Sequence, residues 1–141
     1  MKKGSERLRL HADGGSRGNP GPAGAGAVLY GRDGKILHRW NAYLGTGTNN
    51  EAEYRGLILG LTECLEKGYR DLAIFLDSEL VVRQLMGRYR VKNERLKRLY
   101  DEARSLLDAL DSWTIAHVGR EENKEADRLV NEAIDGGLSI R

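Results

Sequence analysis

The chain has 141 residues and a formal net charge of +2, with 40% hydrophobic and 31% charged residues. Such proportions suit one globular domain and exclude a disordered, fibrous or collagen-like chain. No apolar run approaches the ~18 residues that span a bilayer, and no signal-peptide pattern is visible. The lone Cys64 excludes an internal disulfide and a thiolate metal cluster, so a reducing compartment, the cytoplasm, is the expected location.

Taken in chain order, Arg7–Asp13 alternates, with Leu8, Leu10 and Ala12 on one face, which predicts a strand that Asp13 closes. The stretch HADGGSRGNPGPAGAG (His11 to Gly26) then opens into a glycine- and proline-rich loop. Ala23–Tyr30 and Lys35–Leu44 read as two more strands, joined by the turn Gly31-Arg32-Asp33-Gly34, and Gly24 and Gly26 imply that another element comes close. From Asn50 to Lys67 the period becomes helical, with Gly68 as the C-terminal cap. The run LAIFL within Asp71–Asp77 predicts a central strand covered on both faces. Helices follow over Ser78–Met86 and Asn93–Leu110, then a strand at Trp113–Val118 and a last helix over Glu122–Ile134. The order predicts an α/β fold: a five-stranded mixed sheet flanked by helices on both faces, one domain over 1–141, with flexible ends at 1–6 and 136–141.

Four acids occupy positions of one kind. Asp13 and Asp77 end the first and fourth strands, Glu53 lies in the first turns of the long helix, and Asp127 lies early in the last helix. Each has an ordinary explanation: a turn for Asp13, a cap for Asp77 or Ser78, a helix dipole for Asp127. Glu53 resists one. Thr48 and Glu51 match a capping box, and Glu53, about 200° around the helix from Glu51, shares its stripe with Gly56, Gly60 and Cys64 and so points inward. If the four converge, each like-charge pair at 4 Å costs about 4 kcal/mol at an effective dielectric of 20. A cluster of that kind persists only if protonated, paired or filled with metal, and an all-oxygen ligand set selects Mg²⁺ or Mn²⁺ over zinc. No phosphate loop, dinucleotide fingerprint, GxSxG elbow or HExxH is present. His11 and His38 lie within strands and read as structural, whereas His117 ends a strand and opens VGREEN, a candidate proton shuttle. Between Arg83 and Arg104 stand eight basic residues against three acids, either a solvated helix face or a phosphate contact.

Four segments together, DGGSRGNPGPAGAG, TNNEAEYRGL, DSELVVRQL and HVGREENKEADRLVNEA, resemble type 1 ribonucleases H over essentially the whole chain. The resemblance implies that Asp13, Glu53, Asp77 and Asp127 bind two Mg²⁺ ions, with Mn²⁺ as a substitute, and that His117 assists proton transfer or product release. It implies hydrolysis of the RNA strand of an RNA–DNA hybrid, leaving 5′-phosphate and 3′-hydroxyl ends, by a monomer without membrane or small-molecule cofactor. Backbone around Gly15, Ser16 and Gly18, with Asn19 nearby, corresponds to the contact with ribose 2′-hydroxyls. Thr48, Asn49 and Asn50 correspond to residues meeting the minor groove, and Ser78 and Glu79 to residues beside the RNA. Three departures stand out: Glu79 replaces the usual Gln, only LMGRYR connects Gln84 to Val91 so that the basic protrusion is absent, and no hybrid-binding domain precedes residue 7. Weaker substrate binding is therefore expected, partly restored by Arg88, Arg90 and Lys92 and falling steeply with salt. Alternatives of the same fold are a non-catalytic module binding hybrid or double-stranded RNA, and a polynucleotidyl transferase or junction resolvase.

Overall fold

The computed structural model describes residues 7–140; the flexibility expected of residues 1–6 and of Arg141 lies outside the described residues. Strand β1 (Leu8–Ser16) pairs antiparallel with β2 (Gly21–Tyr30) and parallel with β4 (Asp71–Leu76). Strand β3 (Ile36–Gly47) extends the sheet beyond β2, and β5 (Ser112–His117) pairs parallel with β4, so five strands run in the order β3-β2-β1-β4-β5. The helices are α1 (Asn49–Glu66), α2 (Glu79–Leu85), α3 (Glu94–Asp108) and α4 (Lys124–Ile140), the last preceded by a 3₁₀ turn at Arg120–Asn123. The mixed sheet with helices on both faces is the predicted architecture.

Alternation along the strands decides which side chains meet which helices. Leu10 and Ala12 of β1, Ala27 and Leu29 of β2 and Leu72, Ile74 and Leu76 of β4 turn to one face, where Tyr54, Leu57 and Leu61 of α1 and Ala103 and Leu107 of α3 complete the main core. The intervening Val28 turns to the other face, against Ala126 and Leu129 of α4. Local signals agree with the packing. Thr48 and Glu51 form a reciprocal capping box at the start of α1, Gly68 takes a φ of 86° just past its end, and Gly34 closes the β2–β3 turn. Among the described residues no helix is long and apolar enough to cross a membrane.

Three elements differ from their sequence-based expectation. Strand β1 does not stop at Asp13 but runs on to Ser16, because Gly14, Gly15 and Ser16 stay in register with Ala25, Gly24 and Ala23 of β2. Only one face of β4 is fully buried: α4 packs over β1, β2 and β3, which leaves Ala73 and Phe75 half-covered. And α4 continues past Ile134 through Gly136 and Gly137, two residues that disfavour helix; Gly137 sits against the Tyr43 ring with no room for a Cβ, so tertiary packing overrides local propensity.

Candidate functional site: carboxylates where the central strands part

The parallel pairing of β1 with β4 ends at Ala12 opposite Leu76, and the next residue on each chain is an aspartate. Beyond that point β1 continues beside β2, while the chain after Leu76 turns into α2, so Asp13 and Asp77 stand at a fork in the sheet. Helix α1 lies directly on this fork. A Cβ on Gly14 would run into the Ala52 carbonyl, and one on Gly56 into the backbone of Asp13, so the two backbones touch and Glu53 is carried over the strand ends. Carboxylate oxygens of Asp13, Glu53 and Asp77 consequently lie within 4.8 Å of one another.

Structural duties do not explain these acids. Ser78, not Asp77, caps α2, its hydroxyl accepting from the Val81 amide. Glu51 is used by the capping box and by Arg95, whereas Glu53 belongs to neither. The carboxylate of Asp13 accepts from the Gly14 amide at 2.9 Å. Burial, then the charges of Asp77 and Glu53, push the Asp13 carboxyl far above the usual carboxylate range; burial and the charge of Asp77 do the same to Glu53. Without a cation Asp13 and Glu53 are pushed toward their protonated forms, which is the behaviour of a site whose donor set calls for a hard divalent ion.

Asp127 does not join the compact group but borders it. With Asp13, Glu53 and Asp77 it lines one cleft of about 400 Å³, beside Asn49, Arg17, Arg120 and Asn131. The height of α4 above the sheet, and with it Asp127, is set where Gly24 and Gly26 of β2 leave no space for a Cβ beneath Val130 and Ala126. His117 ends β5 as expected, is exposed and is not among the residues lining the cleft. Its charge contributes slightly to lowering the Glu79 carboxyl, which is held down chiefly by the hydrogen bond and ion pair to Arg83 at 2.6 Å.

Around the cleft the expected contact residues form two linked loops. Asn19 Oδ1 accepts from the Asn49 amide at 3.0 Å, and Asn49 Oδ1 accepts from the Ser16 amide at 3.3 Å. Both side-chain oxygens are thus engaged internally, and neither NH₂ group donates to another described residue. The Ser16 hydroxyl donates to the Gly18 carbonyl, and Gly18 has a φ of 87°. Gly15 lines the cleft, Asn50 is half-buried in the first turn of α1, and Arg88, Arg90 and Lys92 are exposed on the α2–α3 connection, away from the acids. A second, smaller groove of about 240 Å³ lies beside Thr46 and Gly47, with Arg55, Arg95 and Arg98 along it.

Sequence reasoning missed Arg120, Arg17 and Asn131 in the cleft. Arg17 reaches Asp135 at 2.6 Å and Asn131 at 3.2 Å, a tie from the β1–β2 loop to α4 that no local pattern announces. Arg120 is exposed and has no hydrogen bond or ion pair to another described residue. Its position three residues after His117 in VGREEN was the available signal.

Residues 11–133 match the family described as reverse transcriptase-like. The chain is 46% identical over 130 residues to the bifunctional protein Rv2228c of Mycobacterium tuberculosis, covering 92% of this chain but only 36% of that relative's length. It is 32% identical over 151 residues to a ribonuclease H of Pseudomonas syringae pv. syringae, covering 97% of this chain and 98% of the relative. Among solved structures, LC11-RNase H1 in complex with an RNA/DNA hybrid superposes with a TM-score of 0.89 at 40% identity, covering 94% of this chain and 99% of that one.

Proposed function

The chain belongs to the ribonuclease H family, and from that premise we propose that it is a metal-dependent endonuclease hydrolysing the RNA strand of RNA–DNA hybrids, leaving 5′-phosphate and 3′-hydroxyl ends. The observation that carries the reading is the meeting of Asp13, Glu53 and Asp77 within 4.8 Å at the mouth of a cleft that Asp127 also lines. These four would hold two Mg²⁺ ions, or Mn²⁺ in their place. When bound, such a pair supplies a more acidic water and charge stabilisation for the departing 3′-oxygen.

The chain's own groups divide the remaining work. Contact of the α1 and β1 backbones brings Glu53 beside Asp13, where both would serve as anionic ligands, and the Gly14 amide donates to the Asp13 carboxylate. His117, exposed at the end of β5, would move a proton to or from bulk water. The unpaired Arg120 guanidinium meets a phosphate of the bound strand, offsetting the charge that substrate brings to an acidic cleft. Recognition falls to the cross-bonded loops. The Asn19 and Asn49 amides offer N–H donors to minor-groove acceptors and ribose hydroxyls, while Gly15 and Gly18 let backbone come close. LC11-RNase H1, which is bound to an RNA/DNA hybrid, supports the same substrate class here.

Labelled RNA–DNA hybrid, double-stranded RNA and double-stranded DNA, each incubated with Mg²⁺ or Mn²⁺, test the proposal. Cleavage confined to the RNA of the hybrid is expected, each cut leaving a 3′-hydroxyl on the upstream fragment and a 5′-phosphate on the downstream one. Binding without cleavage would indicate a non-catalytic module, and cleavage of double-stranded DNA a polynucleotidyl transferase or resolvase.

A further inference from the structure

Asn123 is 1% exposed, ends the 3₁₀ turn leading into α4, and has both ends of its amide engaged on β1. Its Nδ2 donates to the Ala12 carbonyl at 2.9 Å, and its Oδ1 accepts from Nδ1 of His11 at 3.1 Å. The His11 ring is fixed in turn, stacked on Phe75 with centroids 4.9 Å apart and edge-on to Tyr30 at 5.1 Å. A buried amide left unpaired is costly, so this one has a single comfortable place relative to β1. Register sets the other acids: strand pairing for Asp13 and Asp77, and the α1–β1 backbone contact for Glu53. Asp127 is different. The chain reaches it from β5 through residues 118–123, which belong to no strand, and it lies in the first turn of α4, four residues after Asn123.

We propose that Asn123 is a positioning residue: by gripping the Ala12 backbone next to Asp13, and the His11 ring, it sets where Asp127 and Arg120 stand relative to the Asp13–Glu53–Asp77 group. The proposal rests on the reading of that group as a divalent-metal site. A purely structural Asn123 would lower stability without acting through Asp127.

The test compares Asn123→Ala, Asp127→Asn and the double variant with the unmutated chain. Two properties are read: kcat and KM on an RNA–DNA hybrid, and Mn²⁺ affinity by calorimetry without substrate. Folded Asn123→Ala is expected to lose ~10-fold or more in kcat and in Mn²⁺ affinity with little change in KM, and the double variant to be no worse than Asp127→Asn alone. A lowered melting temperature with kcat and Mn²⁺ affinity intact would overturn the proposal, as would effects that multiply in the double variant. Should Asn123→Ala fail to fold, His11→Phe carries the same comparison, since it keeps a ring against Phe75 and removes the polar contacts of His11 to Asn123 and to the Glu122 backbone, both at the entrance to α4. If the unmutated chain cleaves no hybrid, the nuclease reading fails and the Mn²⁺ titration alone decides the role of Asn123.

Discussion

Replacing Asp13 or Asp77 by asparagine changes side-chain volume little and removes one anion from three that lie within 4.8 Å. Cleavage should fall by ~10³-fold or more in either variant, because several kcal/mol of charge stabilisation depend on the ligand. Melting in chelator should stay unchanged or rise, since repulsion is relieved. Near-normal turnover in a folded variant would remove that residue from the metal site. His117→Ala should slow turnover without abolishing it, as expected of a group that does not line the cleft; complete loss would give it a larger part. At this scale much was legible. Glu53 stood out because the capping box accounts for Glu51 and leaves its neighbour unexplained. Arg120 was less legible: its place after His117 in VGREEN marked it as a neighbour of the site, but nothing local tells which side chain of that loop lines the cleft.

Among the elements, two helices owe their closeness to the sheet to glycines. Gly56→Ala would force α1 away from the Asp13 backbone, costing about 1–3 kcal/mol by overpacking. It should also weaken Mn²⁺ binding, since Glu53 rides on the same turn; a variant with unchanged Mn²⁺ affinity would mean that the helix tolerates the shift. The α2–α3 connection makes a separate prediction. Neutralising Arg88, Arg90 and Lys92 together should flatten the plot of log binding constant against log salt, by up to ~0.9 for each phosphate that these cations neutralise, and leave turnover of bound hybrid intact. An unchanged slope would mean that the segment does not meet the substrate. Element types were readable from period, but their ends were not. The apolar run in β4 carried no sign that α4 covers only β1, β2 and β3, and the two glycines of α4 suggested a terminus where the Tyr43 contact sustains a helix.

For the whole molecule, the buried acids link stability to pH. The carboxyls of Asp13 and Glu53 titrate near 4 in an unfolded chain and are raised in the fold, by burial first and by the charge of Asp77 second. A raised acid keeps its proton when folded, so its contribution is complete below about pH 4 and erodes as pH climbs toward the raised values. In chelator the melting temperature should therefore decline with rising pH, less steeply in Asp13→Asn. Added Mg²⁺ should stabilise more at alkaline than at acid pH and release protons on binding. A melting temperature whose pH slope is the same in Asp13→Asn would contradict this.

Local chemistry by itself determined the strand and helix order, the capped start of α1, the hairpin turn and the four acids worth watching, because each rests on residues within a few positions of one another. Three facts were decided only by the folded chain: that Asp13, Glu53 and Asp77 converge while Asp127 stands at the border, that Arg120 enters the cleft, and that Asn123 ties the α4 entrance to β1. Each depends on backbones packed from distant parts of the chain, and the spacing between a helix and a strand is settled by all the side chains between them rather than by any one pattern.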